Sequence, residues 1–445
     1  MQDGSLFKNL KFKLKINFPL IIIGAQWGDE GKGKVVDLLA KQATHVVRYN
    51  GGNNAGHTVV FNSEKFPLSL LPSGVLHQKK LLLAQGVVID PAVLIKEIEF
   101  FKKRGVVVDL VIDPRVNIVM PYHKALDAAT EAWKGKKATG SLHLGIGYCY
   151  EDKNNRSGVR FEDLVDPKVL KEKLKTLVPL KKRQIEGVFG QKTELSTEEI
   201  YRDYAEYGKK LKKYLGDVSA IVQKALSCHD KVLFEGAHGT FLDGIFGTYP
   251  YTTAVYTIAG GVFPYVGLPP QKIYSLGIVK AYTTRVGNGP FPTELFDDIG
   301  WRIRAAGGEF GTVSKRPRRC GWLDLCMLRT AIRLSGFDYL AITKLDVLSG
   351  LQKLKICTHY VIATASDAES NKTPLKEIPS LMNDFSRCRP VYKEFKGWSA
   401  DISRVRRFAD LPKEAQIYLK FIEKELKVPI KIVSVGAERN ANVLL

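Results

Sequence analysis

The chain has 445 residues, of which 45% are hydrophobic, so it can bury one large core or two to three ordinary ones. Its apolar runs all fall well short of the roughly 20 residues that a membrane-spanning helix needs, so we expect a cytoplasmic protein without a membrane partner. The six cysteines are scattered, without a Cys-x-x-Cys pair. This spacing favours free thiols in a reducing compartment over a disulfide framework or a zinc site.

The formal net charge is +21, which suits either nucleic acid or a solvated surface with pockets for small anions. Many lysines fall in charge-mixed helical stretches, such as residues 166–182 and 201–213, and we find neither a helix-turn-helix pattern nor a zinc finger. Nucleic acid is therefore not an expected partner. Residues 1–18 carry four lysines without the apolar core of a signal peptide, so we predict a disordered basic extension there.

Apolar runs alternate with helical patterns along the rest of the chain. The first run, residues 19–23, predicts a buried strand, and a helix over residues 34–41 and a strand over residues 45–49 follow it. Further apolar runs lie at residues 80–88, 106–112, 231–234, 273–279, 339–342 and 430–435. This alternation is typical of an α/β fold with a large, mostly parallel central sheet flanked by helices. Residues 160–230 show a helical pattern without strands, which predicts a helical subdomain inserted into a single domain over residues 19–445.

The segment WGDEGKGK at residues 27–34 directly follows the first strand. A buried strand that leads into a glycine-rich turn aims backbone N–H groups at phosphates. The spacing G-x-x-x-x-G-K is that of a phosphate-binding loop, but Val35 replaces the hydroxyl residue that usually holds Mg²⁺. Asp29 and Glu30 bring carboxylates into the loop, which is costly unless they bind a metal or move a proton. The loop is therefore predicted to be catalytic as well as anion-binding.

A second dense motif, NNAGHT at residues 53–58, follows the second predicted strand through a Gly-Gly pair. Small residues around His57 let its imidazole stand where backbone can approach a ligand closely. A lone histidine is more often structural, but a glycine-rich loop after a strand favours a functional role. Asp29 as base and His57 as acid would form a proton-handling pair.

Two later segments point to a guanine nucleotide and to anions. TKLD at residues 343–346 follows a strand and has the pattern with which nucleotide sites recognise guanine, although a surface Lys-x-Asp is common. Its carboxylate would accept from N1–H and the 2-amino group, a pairing that adenine does not offer. The cations clustered at residues 315–319 would repel one another without anions between them, and arginine matches phosphate and carboxylate in a bidentate manner. A basic surface loop is the alternative.

In their order along the chain, these motifs resemble those of the adenylosuccinate synthetases, GTP-dependent ligases that join IMP to aspartate. The resemblance runs from about residue 20 to the end of the chain. The matching segments are WGDEGKGK at 27–34, NAGHT at 54–58, GIG and YEDK within 145–153, FEGA at 234–237, GTYPY at 247–251, TRVGNGPFPTEL at 284–295, KRPRRCGW at 315–322 and KLDVLSG at 344–350.

The resemblance implies that GTP phosphorylates the 6-oxygen of IMP and that the amino group of L-aspartate then displaces phosphate, which gives adenylosuccinate on the AMP branch of purine biosynthesis. It also implies one Mg²⁺ per subunit and a homodimer. Asp29 would remove the N1 proton and contact the metal together with the backbone of Gly56. His57 would act as acid at the 6-oxygen, and Lys32 would neutralise phosphoryl charge.

The same resemblance implies three sets of binding residues. The GTP set is Gly28, Glu30, Gly31, Gly33, Lys34, His57, Thr58, Arg318, Lys344, Leu345, Asp346, Ser434, Val435 and Gly436. The IMP set is Asp29, Lys32, Asn54, Ala55, Gly56, His57, Ser141, Arg156, His238, Thr253 and Arg316, with Arg156 lent to the site of the partner subunit. The aspartate set is Thr312, Val313, Ser314, Lys315, Arg316 and Arg318.

Several positions depart from the family pattern. The threonine expected at the phosphate of IMP is Leu142, or is replaced by Ser141. His238 stands where the family has a glutamine, and the aspartate loop has Val-Ser-Lys at residues 313–315 where Thr-Thr-Gly is common. These departures concern the affinity for IMP and aspartate rather than the type of reaction.

Two other hypotheses remain open from the sequence. A regulatory GTPase would share the phosphate loop and TKLD, but would leave His57 and the arginine loop unexplained. A catalytically weakened homologue would bind nucleotide or nucleic acid through its basic surface. Formation of adenylosuccinate and GDP from IMP, GTP and aspartate separates the ligase from both.

Overall fold

The computed structural model describes residues 14–61, 64–135, 138, 140–311, 317–362 and 371–445. The strands of this part of the chain are β1 Leu20–Gly24, β2 His45–Arg48, β3 His57–Phe61, β4 Glu64–Leu68, β5 Lys80–Leu83, β6 Val88–Ile89, β7 Leu110–Ile112, β8 Asn117–Ile118, β9 Val232–Gly239, β10 Tyr274–Lys280, β11 Thr283–Arg285, β12 Arg319–Gly321, β13 Leu323–Asp324, β14 Tyr339–Thr343, β15 Lys353–Ile362, β16 Asn371–Leu375, β17 Cys388–Lys396, β18 Ile430–Ser434 and β19 Asn442–Leu444.

The α-helices of the same described residues complete the inventory. They are α1 Lys32–Ala40, α2 Pro91–Lys102, α3 Pro121–Lys134, α4 Ile146–Asn155, α5 Phe161–Leu164, α6 Pro167–Phe189, α7 Thr197–Leu211, α8 Val218–Ser227, α9 Val262–Val266, α10 Asp298–Gly307, α11 Leu325–Ser335, α12 Met382–Arg387 and α13 Lys413–Leu426.

Nine of the described strands form one sheet in the order β19-β18-β14-β10-β1-β9-β2-β5-β7. Neighbouring strands pair in parallel, except that β19 runs antiparallel to β18. This confirms the large, mostly parallel sheet that the apolar runs predicted. A parallel sheet is buried on both faces, which explains why its strands are continuous apolar runs rather than alternating ones.

The central strand β1 divides its side chains between two hydrophobic clusters. Ile21 and Ile23 pack into one cluster, whereas Leu20 and Ile22 pack into the other, on the opposite face of the sheet. Helices α8 to α11 and α13 cover the first face, and α1, α2 and α5 to α7 cover the second. The two layers of helices cover both faces of the sheet and leave the ends of its strands uncovered.

The segment from Phe161 to Ser227 contains α5 to α8 and no strand. At the start of the described chain, Leu14 and Ile16 are buried in the same cluster as Leu20, so residues 14–18 pack on the domain instead of belonging to a disordered extension. Leu14, Ile16 and Phe18 alternate with the polar Lys15 and Asn17, a pattern that the sequence analysis did not use. Residues 1–13 lie outside the described part.

Two further features concern the cysteines and the lengths of the helices. All six cysteines are free, as their spacing predicted. Within the described residues, every helix is either too short or too polar to span a bilayer.

The parallel arrangement determines where a ligand can bind. The carboxyl ends of β1, β2, β9, β10, β14 and β18 lie along one edge, because parallel strands all end on the same side. The loops that the sequence singled out at residues 27–31, 49–56, 344–346 and 434–436 follow four of these strands. The sheet therefore brings together motifs that lie more than 400 residues apart.

Gly208 in α7 and Gly187 in α6 offer a matched test of helix packing in this region. A Cβ at Gly208 would lie 2.0 Å from the carbonyl oxygen of Leu164, whereas one at Gly187 would meet nothing within 4 Å. We expect Gly208→Ala to lower the free energy of unfolding by about 1–3 kcal/mol, because the packed helices must move apart. We expect Gly187→Ala to raise it by about 0.5–1 kcal/mol, because alanine is the better helix former. Urea denaturation measures both, and equal effects would contradict this packing.

Candidate functional site

The loop between β1 and α1 turns tightly through left-handed backbone. The φ angles of Gly28, Asp29 and Gly31 are 84°, 59° and 86°. Two of these positions need glycine, while Asp29 holds a conformation that is uncommon for a residue with a side chain. Gly31 precedes α1 and provides no side-chain cap. The first N–H groups of α1 are therefore open to an anion.

Glu30 stabilises this loop from inside the protein. Its side chain is fully buried, and Oε1 accepts hydrogen bonds from the N–H groups of Gln26 at 3.0 Å and Gly28 at 2.9 Å. Lys32 donates from Nζ to Oε2 at 2.7 Å. These donors offset the cost of the buried charge without a metal. The carboxylate therefore faces inward, so that any contact of Glu30 with GTP involves its backbone.

Lys34 reaches the far side of the sheet edge. Its Nζ donates to Ser434 Oγ at 2.7 Å, to the Gly436 carbonyl at 2.7 Å and to the Ala441 carbonyl at 3.0 Å. Burial lowers the pKa of Lys34 to about 7, although Asp346 acts in the opposite direction. The ammonium thus ties α1 to the turn between β18 and β19. Ser434 and Gly436 belong to the predicted GTP set as Lys34 does, and the contact of Lys34 with GTP stays a prediction.

A chain of ion pairs links the phosphate loop to the TKLD motif. Asp29, whose side chain is 33% exposed, has Oδ2 at 2.7 Å from Arg318 Nε. Arg318 donates from Nη1 to Glu309 Oε2 at 2.9 Å, and Lys280 and Lys344 contact Glu309 Oε1 at 3.0 and 2.8 Å. Burial opposes ionisation of Glu309, but Lys280 and Lys344 outweigh it and lower the pKa of this carboxyl.

The TKLD motif presents an unused carboxylate oxygen. Thr343 Oγ1 donates to the backbone carbonyl of Glu30 at 2.6 Å, which fixes the start of the motif against the phosphate loop. Lys344 has φ 56° and donates to the Gly307 carbonyl at 2.6 Å. Asp346 Oδ1 is buried and lacks a hydrogen-bond partner among the described residues, and burial raises the pKa of Asp346. A ligand with two adjacent N–H donors, such as guanine, would satisfy this carboxylate.

His57 is held by a hydrogen-bond relay through Ser73 to Glu235, which the sequence did not reveal. Its Nε2 lies 2.7 Å from Ser73 Oγ, and Ser73 donates to Glu235 Oε1 at 2.8 Å. Because the single hydroxyl proton goes to Glu235, His57 Nε2 carries the proton of the first hydrogen bond. Burial lowers the pKa of His57 to about 4 against the effect of Glu235, so the ring is neutral at pH 7. A Cβ at Gly33 would lie 2.5 Å from this ring, which explains the glycine.

A cavity of about 840 Å³ opens beside these loops. This volume is within the range of about 300–1,000 Å³ that is usual for small-molecule sites. Trp27 of the phosphate loop contributes to its wall, and so do four members of the predicted IMP set: Asn54, Ser141, His238 and Thr253.

Two polar side-chain atoms in the cavity wall are free to bond a ligand. Asn54 Oδ1 and His238 Nε2 are both buried, and neither has a hydrogen-bond partner in the described part of the chain. Burial, with the nearby charges of Lys32 and Arg48, lowers the pKa of His238 to about 3. The ring that replaces the family glutamine is therefore neutral and offers one donor and one acceptor.

Ser141 and Leu142 are both in the cavity wall. Ser141 donates its N–H to Glu131 at 3.0 Å, and its Oγ accepts from the N–H of His143 at 3.1 Å. Its hydroxyl proton remains available, whereas Leu142 has no polar side-chain atom. Of the two, Ser141 is the residue that can bind a phosphate through its side chain.

The remaining predicted residues are more dispersed. Leu345 and Val435 are fully buried, so that only their backbones can meet a ligand, while Ala55, Gly56 and Thr58 are partly exposed. Arg156 is exposed at the end of α4 with φ 64° and does not line the cavity. The aspartate loop is different, because Thr312, Val313, Ser314, Lys315 and Arg316 lie outside the described residues.

The sequence is similar to a family model and to relatives from other organisms. Residues 21–443 match the family model described as adenylosuccinate synthetase. An adenylosuccinate synthetase of Thermodesulfovibrio yellowstonii is 47% identical over 429 residues, which cover 96% of this chain and 98% of that protein. One from Clostridium acetobutylicum is 46% identical over 428 residues, which cover 95% and 98%.

Two solved structures are similar. The structure described as fully ligated adenylosuccinate synthetase from Plasmodium falciparum has a TM-score of 0.89 at 38% identity and covers 96% of this chain and 99% of its own. A succinoaminodeoxyadenylate synthetase of cyanophage S-2L has a TM-score of 0.60 at 18% identity over 96% and 94% of the two chains. At that identity, the second comparison shows a shared fold alone.

Glu309→Gln tests the ion-pair chain. We expect it to lower the free energy of unfolding at pH 7 by about 3–5 kcal/mol, because buried Lys280 loses its counter-charge. The pKa of Glu309 is lowered from its ordinary 4.5, so its contribution is fully present above that pH and is lost as the pH falls through the folded-state pKa. The difference between variant and native protein should therefore shrink in acid. Denaturation from pH 7 to pH 3 measures this.

Glu394→Gln is the matched control. This carboxylate forms ion pairs with Lys353 and Lys355, but its side chain is 52% exposed. We expect little change in stability, because solvent screens such pairs. A comparable loss in both variants would contradict the special role of Glu309.

Proposed function

Since this chain belongs to the adenylosuccinate synthetase family, we propose that the cavity and the loops around Asp29 form the site of the family reaction. That reaction is the GTP-dependent ligation of IMP and L-aspartate to adenylosuccinate, with release of GDP and phosphate, in the AMP branch of purine biosynthesis. It passes through 6-phosphoryl-IMP, because the 6-oxo group is a poor leaving group until it is phosphorylated.

One observation carries the placement of the site. The ion-pair chain from Asp29 through Arg318 and Glu309 to Lys344 joins a carboxylate beside the cavity to the motif that ends β14. A ligase must hold two nucleotides so that the γ-phosphate of one meets the 6-oxygen of the other. The cavity suits IMP, and the free oxygen of Asp346 suits guanine. The phosphate loop lies between them and is bonded to the TKLD motif through Thr343.

We assign the proton transfer to Asp29. Its carboxylate accepts the N1 proton of IMP, and the electron pair of the N1–H bond shifts through C6 to the 6-oxygen. The 6-oxygen attacks the γ-phosphorus of GTP, and the bond to the bridging oxygen breaks with release of GDP. In the second step the amino group of aspartate attacks C6, phosphate leaves with the electron pair of the C6–O bond, and the departing phosphate takes up the proton that the amino nitrogen loses.

Lys32 and His57 stabilise the charge that develops in the first step. The ammonium of Lys32 is held by Glu30, and its charge contributes to the lowered pKa of His238, a residue of the cavity wall. His57 is neutral and its one N–H is directed to Ser73 Oγ, so it acts through the dipole of its ring rather than as a cation. The Ser73–Glu235 relay fixes its orientation, and fixed dipoles stabilise a transition state without reorganisation.

The oxygen donors near the phosphate loop fit Mg²⁺. Asp29 provides a partly exposed carboxylate and Gly56 a backbone carbonyl, and both are the hard ligands that this ion prefers. We propose that these two residues hold one Mg²⁺ per subunit, which would neutralise the charge on the transferred phosphoryl group when bound. The ion pair of Asp29 with Arg318 shows that the carboxylate already has a cationic partner in this structure.

We further propose that aspartate binds to residues 312–316 together with Arg318, and that the enzyme is a homodimer. Arg156 supports the second proposal. It is exposed and outside its own cavity, so its side chain is available to the IMP site of a partner subunit.

Asp29→Asn tests the assignment of the base. We expect kcat to fall by about 100-fold or more, because the amide does not accept the N1 proton. Asparagine tolerates the left-handed backbone of this position, so the fold should persist. Formation of adenylosuccinate and GDP is measured alongside the melting temperature, with the exposed Asp410→Asn as control. Retained turnover would mean that another group is the base.

Arg156→Gln, alone and mixed with Asp29→Asn, tests the partner site. Alone, Arg156→Gln should be inactive if the Arg156 side chain completes the IMP site of the other subunit. A mixture with Asp29→Asn should then regain activity, because mixed dimers contain one site with both residues native. A mixture that stays inactive would place Arg156 in its own site.

Asp346→Asn tests the guanine assignment. We expect the KM for GTP to rise by about 100-fold or more, because an amide does not accept from both N1–H and the 2-amino group. Xanthosine triphosphate should become a substrate, since its 2-oxo group accepts from the new NH₂. Asp401→Asn is the control, because this exposed carboxylate lies near Asp346 without belonging to TKLD. Unchanged use of GTP would exclude Asp346 from the base site.

A further inference from the structure

Arg285 is a buried cation without a carboxylate partner in the described part of the chain. It ends β11, its side chain is 1% exposed, and carbonyl, hydroxyl and aromatic groups surround it. Its Nε lacks any hydrogen-bond partner among the described residues. Burial and the charge of Arg319 lower the pKa of Arg285 to about 9. An unpaired buried charge is expensive, so stability alone does not explain this residue.

The guanidinium contacts three loops at once. Nη2 donates to Thr248 Oγ1 at 2.9 Å, and Nη1 donates to the carbonyl of Pro290. The carbon of the group lies 4.6 Å from the ring centroid of Trp27 and 5.9 Å from that of Tyr251. Trp27 Nε1 also donates to Thr248 Oγ1, at 3.2 Å. One hydroxyl oxygen therefore accepts from both the tryptophan and the arginine.

The contacted loops form one wall of the cavity. Trp27, Tyr251 and residues 286–288 line the cavity, whereas Arg285 lies behind them. The loop at residues 286–290 passes so close that a Cβ at Gly289 would come within 2.3 Å of Arg285 Nη2. This part of the cavity wall therefore packs directly against the guanidinium.

The backbone of Arg285 connects this wall to the phosphoryl-transfer groups. Arg285 pairs with Arg319 across β11 and β12, and Arg319 Nη1 donates to the Gly289 carbonyl at 2.9 Å. The residue before Arg319 is Arg318, which holds Asp29. A shift of β11 would therefore move both the cavity wall and the partner of the catalytic carboxylate.

We propose that Arg285 is a positioning residue for the IMP cavity. Its planar fork fixes the phosphate loop, the loop at residues 247–251 and the loop at residues 286–290 relative to one another. The inference rests on the proposed function, because it takes this cavity to be the IMP site. The planar shape of the guanidinium is needed as well as its charge, because Thr248 Oγ1 and the Pro290 carbonyl accept from two different nitrogens of the same plane.

The test uses Arg285→Lys and Thr248→Val in the full-length chain. Lysine keeps the charge but loses the fork, and valine removes the shared acceptor while keeping the shape. We expect each variant to raise the KM for IMP about ten-fold and to change the KM for GTP by no more than about two-fold. The double variant should be no worse than the more severe single one, because both break the same interaction. Calorimetric titration with IMP alone should show the same loss of affinity.

Arg329→Met is the matched control. Arg329 also donates to a carbonyl, that of Thr358 at 2.7 Å, and it pairs with Glu425 at 2.9 Å, but it does not line or support the cavity. We expect a lower melting temperature with an unchanged KM for IMP.

The outcomes separate the proposal from its premise. Full activity of Arg285→Lys, additive effects in the double variant, or KM values that rise equally for both nucleotides would overturn the positioning role.

If the native chain makes no adenylosuccinate, the proposed function fails, and IMP binding by calorimetry still tests the positioning role. If Arg285→Lys does not fold, Thr248→Val and its IMP titration carry the test. A native chain that does not bind IMP would overturn the inference together with its premise.

Discussion

A single buried carboxylate determines how the charged groups of this site are arranged. Glu309 accepts from Lys280, Arg318 and Lys344, and these cations come from three different segments of the chain. Without Glu309 they would repel one another in a region of low dielectric, where such repulsion is strong. With it, Arg318 reaches Asp29 and Lys344 stands at the guanine motif. Glu309 therefore fixes Asp29, which we propose as the base, relative to the TKLD motif, which we propose as the guanine site.

The sheet supplies the rigid frame for this arrangement. Its parallel strands deliver loops to one edge, and buried polar groups then fix the loops to one another. Glu30 stiffens the phosphate loop, Thr343 bonds that loop to β14, and Ser73 with Glu235 orients His57. Because these groups are already in place, little reorganisation is needed when substrates arrive. Asn54, His238 and Asp346, which belong to the proposed IMP and GTP sets, each have a buried polar atom without a partner among the described residues.

Local motifs were predictable from the sequence, whereas long-range partners were not. Asp29, His57 and Asp346 stand in short glycine-rich or post-strand patterns whose chemistry is visible within a few residues. Ser73 has no such pattern, and the contacts of Lys34 with Ser434 and Gly436 were not predictable because these residues lie 400 and 402 residues away. Glu309 precedes the arginine loop between glycines, a signal that could have been used. The parallel sheet was predictable because burial on both faces leaves uninterrupted apolar runs.

The bond between Lys34 and Ser434 also has a consequence for synthesis on the ribosome. The residue that holds the second lysine of the phosphate loop is synthesised 400 residues after that lysine. Strand β14 can add to the growing sheet earlier, yet β18 and β19 must await nearly the whole chain. Contacts of such sequence separation form late because their loops are entropically expensive to close. A nascent chain therefore lacks this contact of Lys34 until β18 has been synthesised, 400 residues after the lysine itself.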